Sequence, residues 1–316
     1  MYSYFKKIIS LVIFIFGFIT FSILKRNNKF IYQAYVNTYC LTSGLISEFV
    51  SKIISFNSKV FLNFKKPPTK VIDISMKLKK NGYIILDDKL KENRLNGLIG
   101  LTKKLKCSYS KFDENSSDVI FDEKIHNLPT YYYDSLDLIK SKEVTDVIKY
   151  LDDLKISHSY FETQPNLFSV NMWWSTVGEK SDSFSAQDFH FDLDSIKWLK
   201  YFIYLNDVNI DNGPHVYIEG TNKVFSKPYS LLKQGYKRIS DSEINKLFDP
   251  KRINYITGEK GTIIIGDTSC FHKGLVPKKS NRLIFEVTFS NSFFTDNNKA
   301  KILDNLYKKN LQYENY

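Results

Sequence analysis

The stretch GEKGTIIIGDTSCFHKGLVPKKSNRLIFEVTFS, residues 258–290, decides how this chain is read. It holds two runs of β-branched and aromatic residues, Gly261–Ile265 and Leu283–Phe289, separated by Gly, Asp, Asn and Pro. Such runs with such breaks predict two strands joined by turns. Upstream, Leu167–Trp174, Trp198–Leu205 and Val216–Ile218 have the same character and predict further strands. Helical signals dominate the earlier part. VIDISMKLKKNGYIILDDKL (71–90) predicts a short helix, a stop at Asn81-Gly82 and a strand over Tyr83–Leu86. Val144, Val147, Ile148 and Leu151 recur at helical spacing. Ser240 and Glu243 make a capping box before a short inserted helix, and the charged tail after Asn291 predicts one terminal helix. Helices first and many short strands after them imply an α+β fold with an antiparallel barrel or sandwich.

Chemistry enters through the histidines. QDFHFDLD (187–194) contains His190 and Asp192 as an H-x-D pair, and residues i and i+2 of a strand point to the same side. An imidazole and a carboxylate can therefore converge on one ion. His272, in DTSCFHKG, supplies a third ligand. Two histidines and one carboxylate cover one face of a non-haem iron coordination sphere and leave the other positions open. By itself an H-x-D triplet also arises by chance, as a hydrogen-bonded barrel histidine and a turn aspartate. His215 reads as structural, and His126 and His158 have no partner pattern. Cys270 reads as a small buried hydrophobe and Asp267 as a turn residue.

Composition narrows the classes. The chain has 316 residues, 43% of them hydrophobic and 16% aromatic, enough for a sizeable core. The formal charge is +11, but the lysines are scattered and no zinc-finger or RNA-binding signature accompanies them, so no nucleic-acid partner is expected. Three cysteines at long spacings exclude a disulfide framework and a CxxC metal site, and fit a reducing compartment.

Residues 8–24, IISLVIFIFGFITFSIL, carry no charge and are flanked by Lys6, Lys7 and Lys25, Arg26. A helix of this length meets the lower bound for spanning a bilayer, so a transmembrane anchor is expected. A signal peptide and a buried helix are the competing readings; no A-x-A-like cleavage site follows. Residues 30–63 would form a juxtamembrane helical hairpin, and Pro67-Pro68 marks a boundary. The expected organisation is an N-terminal anchor and helical segment (1–66), a barrel domain (67–295) and a tail (296–316). The protein is expected to be a single-pass membrane protein with the barrel on the cytoplasmic side.

NDVNIDNGPHVYIEGTNK (206–223), the H-x-D pair, the G-D-T-x-x-x-H-x-G segment and the following Arg282 together resemble the phytanoyl-CoA dioxygenase family of Fe(II)/2-oxoglutarate oxygenases, over residues 70–291. The resemblance implies a double-stranded β-helix, a jelly-roll or cupin-like barrel with flanking helices. It implies Fe(II) on His190, Asp192 and His272, with 2-oxoglutarate and O2 as cosubstrates. It assigns Arg282 to the distal carboxylate of 2-oxoglutarate, which a guanidinium fork suits. Arg282, Ile284 and Glu286 share one strand face. In several members a hydroxyl residue two places after the second histidine holds the same carboxylate; here that place is Gly274, and Thr288 or Tyr204 would substitute. Relatives line the cosubstrate pocket from the strand NMWWS (171–175), which brings in Met172, sharing a face with Trp174. The activity implied is hydroxylation of a small-molecule or lipid-like substrate near a membrane. Asp192 argues against halogenation, which needs a small residue in its place. The alternative is a metal-free, membrane-anchored barrel that serves as a binding module.

Overall fold

The computed structural model describes residues 2–24, 29–62, 64–65, 67–109, 118–125, 128–177, 188–295 and 298–313; His126 lies outside them. Three helices open the chain: α1 (Tyr2–Leu24), α2 (Lys29–Thr42) and α3 (Leu45–Phe61). Then come α4 (Thr69–Asn81), β1 (Tyr83–Ile85), α5 (Glu92–Leu101), β2 (Cys107–Ser108) and β3 (Thr130–Tyr133). Helices α6 (Ser135–Lys140), α7 (Lys142–Asp153) and α8 (Ile156–Phe161) precede β4 (Asn166–Ser175), β5 (Trp198–Tyr204) and β6 (His215–Ile218). Short helices α9 (Tyr229–Leu232) and α10 (Asp241–Leu247) lead to β7 (Ile253–Ile256), β8 (Ile263–Gly266), β9 (His272–Gly274) and β10 (Arg282–Ser290), and α11 (Lys299–Tyr313) closes the chain.

The local signals act as their chemistry dictates. Helix α4 stops at Gly82, whose φ of 87° a side chain would strain, and whose N–H donates to Leu78 O. A Cβ there would also lie 2.1 Å from Cys270 Sγ, so only glycine lets this turn approach the strand region behind it. Ser240 caps α10 by accepting from the Glu243 N–H at 3.3 Å.

The strands form two antiparallel sheets. The larger has the order β1-β8-β5-β10-β4-β3-β2, the smaller β7-β6-β9. An antiparallel bridge between His190 and His272 extends the smaller sheet by one more segment. Strand β10 lies between β4 and β5, with Arg282 opposite Ser175, Ile284 opposite Trp173 and Tyr204, and Glu286 opposite Asn171 and Phe202. Residues directly opposite each other share a face. One face of the larger sheet therefore carries Arg282, Ile284, Glu286, Trp173, Asn171, Phe202 and Tyr204. The other face carries Leu283, Phe285, Val287, Val170, Met172 and Tyr201, which pack on Leu95, Leu98, Val144, Val147, Ile148 and Leu303 of the helical layer.

The space between the sheets holds Phe202, Tyr204, Tyr217, Ile264 and Ile284. The far side of the smaller sheet, with Val216, Ile218, Phe189, Phe191 and Phe271, packs against α1–α3 through Phe14, Tyr35 and Tyr39.

This packing corrects the reading of the N-terminus. Among the described residues no helix is long and apolar enough to cross a membrane, so the expected transmembrane anchor and the single-pass, cytoplasmic-side localisation are withdrawn. Helix α1 folds back on α2. A Cβ at Gly17 would come 2.5 Å from Ile31 Cγ2, and Phe14 is fully buried between Tyr35 and Phe294, with ring centroids 5.3 and 5.7 Å away. Its opposite flank, including Val12, Phe16 and Ile19, is exposed. An uncharged run of this length seeks an apolar partner, and hydropathy alone does not distinguish lipid from protein. Here α2 and Phe294 provide one. Residues 29–61 form the helices α2 and α3, which lie as a layer on the smaller sheet.

Candidate metal centre

His190, Asp192 and His272 meet between the sheets. The backbones of His190 and His272 exchange both hydrogen bonds, at 3.0 and 2.8 Å, which brings the two imidazoles side by side with centroids 4.3 Å apart. Asp192 is fixed by its N–H to Thr268 O at 2.7 Å. Its Oδ1 lies 3.7 Å from His190 Nε2 and its Oδ2 3.6 Å from His272 Nε2. One ligand atom from each residue lies within 4.8 Å of the others. The three are the group of potential ligands that converges in this way among the described residues.

The protonation states suit a cation. Each imidazole turns Nδ1 to a backbone carbonyl two residues earlier, His190 to Asp188 O at 2.9 Å and His272 to Cys270 O at 3.0 Å. An Nδ1–H donated there leaves Nε2 as a lone pair aimed at the centre. Burial, then the neighbouring His272, pushes the pKa of His190 down to about 3; burial likewise lowers His272. Burial opposes ionisation of Asp192, but Lys200, His272 and His190 outweigh it and hold its carboxyl well below the usual range. Near neutral pH the site thus presents two neutral imidazoles and one carboxylate, the forms that bind metal.

Arg282 sits on the same inner face at the start of β10. It is buried, with Nη1 donating to Leu275 O at 3.3 Å and Nη2 to Ser175 Oγ at 3.1 Å. Its Nε has no hydrogen-bond partner, and no carboxylate pairs with it among the described residues. Burial brings its pKa down to about 10. A buried cation with an orphaned donor is costly unless an anion completes it. Gly274 lies beside it; a Cβ at that position would stand 3.3 Å from Nη2.

Five of the expected residues, His190, Asp192, His272, Arg282 and Tyr204, face the space between the two sheets, and Met172 does not. Tyr204 faces the cavity beside Arg282, but its hydroxyl donates to Ile256 O at 2.8 Å and accepts from His215 N at 3.1 Å. Thr288 Oγ1 is bonded to Glu286 and Ser169. The hydroxyl on Arg282 is that of Ser175. Met172 packs on the other face of β4, in the helix-facing core opposite Phe285. The strand phase is one residue off for it: Trp173, not Met172 or Trp174, faces inward.

Two further charged residues stand at the site, Lys200 and Glu286. Lys200 Nζ bridges Asp192 Oδ2 and Asp194 Oδ2, each at 2.8 Å. Glu286 is buried four residues after Arg282. Their signal was visible: Lys200 is the one charge in the apolar run WLKYFIY, and Glu286 shares RLIFEVTFS with Arg282 alone. Such charges are seldom fully buried without a reason. Asp267 behaves as the turn residue expected, accepting from Ser269 N and Oγ and from the Tyr160 hydroxyl.

No protein-family model matches the chain, that of the phytanoyl-CoA dioxygenases included, and no curated protein matches it either. Solved structures similar to it include the epimerase SnoN, in complex with Fe3+, alpha ketoglutarate and nogalamycin RO, at 12% identity and a TM-score of 0.49 over 71% of this chain and 84% of that one. HygX from Streptomyces hygroscopicus, with nickel and 2-oxoglutarate, is 13% identical at a TM-score of 0.49, over 73% and 89%. EctD from S. alaskensis, with 2-oxoglutarate and 5-hydroxyectoine, is 14% identical at 0.48, over 69% and 75%. These likenesses are of fold; the chemistry of the site rests on its own geometry.

Proposed function

We propose that this chain is a non-haem Fe(II)/2-oxoglutarate-dependent dioxygenase of the phytanoyl-CoA dioxygenase type, hydroxylating a small molecule, with residues 67–295 as its catalytic unit. The observation that carries this reading is the convergence of His190, Asp192 and His272 within 4.8 Å. A two-histidine, one-carboxylate set suits Fe(II) and leaves coordination positions open. Arg282 adds the cosubstrate. Its unpartnered Nε and its place beside Gly274, two residues after His272, fit a dicarboxylate that would reach from the triad to the guanidinium.

When bound, iron, 2-oxoglutarate and O2 supply the oxidising power for C–H hydroxylation, and the cosubstrate leaves as succinate and CO2. The chain's residues do the rest. His190 and His272 offer neutral Nε2 atoms oriented by backbone carbonyls. Lys200 holds Asp192 ionised and fixes its Oδ2, so that the carboxylate keeps one orientation. Arg282 fixes the far end of the cosubstrate, and Ser175 fixes Arg282. Phe202, Tyr217 and Ile284 are buried between the sheets beside these residues, and apolar surroundings strengthen charge interactions.

The reading is tested with the full-length protein supplied with Fe(II), 2-oxoglutarate and O2. Succinate release above that of His272→Ala is expected. Equal release by the two proteins would overturn it.

A further inference from the structure

We infer that Glu286 is the substrate-recognising carboxylate of this cavity, and that the substrate carries a cationic nitrogen. The inference rests on the dioxygenase reading and specifies its substrate class.

Glu286 lies on the inner face of β10, on the same wall as Arg282 and beyond Ile284. Its Oε1 accepts three hydrogen bonds, from Thr288 Oγ1 at 2.6 Å, Asn171 Nδ2 at 3.2 Å and Ser169 Oγ at 3.3 Å. All three donors are neutral, and none of these bonds reaches Oε2. Among the described residues no lysine, arginine or histidine forms an ion pair with it. Lys200 is close enough for the two charges to act on each other, but its ammonium pairs with Asp192 and Asp194.

The charges of the cavity show why this matters. With a divalent ion and a dicarboxylate in place, those two ligands, Asp192 and Arg282 cancel, and the imidazoles are neutral. Lys200 and Asp194 cancel in turn. Arg238, whose field reaches His190, is exposed, so solvent screens it. Glu286 remains as the carboxylate of this face that has no ion pair among the described residues, oriented through Oε1 by three donors and with Oε2 outside those bonds. A carboxylate oxygen left outside such a network is an open acceptor for a ligand's donor. An ammonium or amidinium group in the cavity would pair with it through a charge-assisted hydrogen bond to Oε2. A neutral or anionic substrate would leave it without a charged partner. Sites that recognise ligands commonly hold such groups at the expense of stability.

The test uses full-length protein loaded with Ni(II) and 2-oxoglutarate, which bind without turnover. Matched probes are titrated by calorimetry, cyclohexylammonium against cyclohexanol and piperidinium against tetrahydropyran. The wild type is expected to bind each cation about tenfold or more tighter than its neutral match, a preference typical of a charged hydrogen bond. Glu286→Gln, which keeps the shape and an acceptor for the three donors, is expected to abolish the preference. In the ligand-free state the same variant is expected to unfold no earlier than wild type. Absence of a preference in wild type, its survival in Glu286→Gln, or a lowered Tm that marks Glu286 as a structural acceptor, each overturns the inference. Ni(II) titration keeps the two claims apart. Wild type that fails to bind the metal sinks the dioxygenase reading, whereas intact metal binding without cation preference sinks the substrate class alone.

Discussion

Leu283, Phe285, Val287 and Phe289 alternate along β10 with Arg282, Ile284, Glu286 and Thr288, and the two sets are equally hidden from water. The first set faces the helical layer and is satisfied by it: apolar side chains against apolar side chains. The second faces the space between the sheets, with a guanidinium nitrogen at one end and a carboxylate at the other that find no hydrogen-bond partner and no ion pair, respectively, among the described residues. One strand thus divides its labour by parity. The outer face holds the domain together. The inner face carries charge that folding does not compensate, and that a ligand would.

The contrast can be broken at several points, and the largest effect is expected on the outer face. Phe285→Ala empties a fully buried site between sheet and helices and is expected to cost about 3–5 kcal/mol in denaturant unfolding. A loss below about 1 kcal/mol would mean that the outer face is not the structural one. Arg282→Met is the inner-face counterpart. It removes an uncompensated buried cation, so stability is expected to hold while 2-oxoglutarate binds about 10- to 100-fold more weakly, the worth of a charged hydrogen-bonded pair. A variant that unfolds readily but binds 2-oxoglutarate normally would reverse the assignment.

A smaller effect concerns protons. His215 is buried on the cavity side against Phe202, with centroids 4.4 Å apart, and burial, then Arg282, holds its pKa well below the ordinary value. Above about pH 6.5 neither the folded nor the unfolded residue is protonated, and it adds no pH dependence. Below that, the unfolded chain takes up a proton that the folded chain refuses. Stability should therefore fall on acidification, by up to about 1.4 kcal/mol per pH unit for this one residue. His215→Asn is expected to flatten the slope between pH 6.5 and 5 in urea unfolding; an unchanged slope would show that His215 takes its proton freely in the fold.

Much of the fold, and the convergence of His190, Asp192 and His272, could be read from residues alone, for definable reasons. Strands β4, β5, β6, β8 and β10 announce themselves because β-branched and aromatic side chains fill both faces of a buried sheet. That same richness hid their phase. In NLFSVNMWWS both faces carry large apolar residues, so Met172 and Trp173 compete for the cavity until the pairing of Asn171 with Glu286 and of Ser175 with Arg282 decides for Trp173. The polar residues Ser169, Asn171 and Ser175 already marked the inner side. Strand β9, His272–Gly274, has no strand pattern of its own; pairing with β6 and the bridge to His190 shape it. The apolar N-terminal run shows the opposite failure. Its composition states that it will be covered, but what covers it, α2 and Phe294, is a matter of tertiary structure.

Anaerobic titration of Fe(II) into the full-length protein, followed by calorimetry, tests the central claim most directly. Wild type is expected to bind one ion per chain. His190→Ala and Asp192→Ala are expected to bind it at least about 100-fold more weakly, since even the partners behind a metal ligand cost about 10- to 100-fold. Failure of the wild type to bind Fe(II), or equal affinity in the variants, would contradict the account.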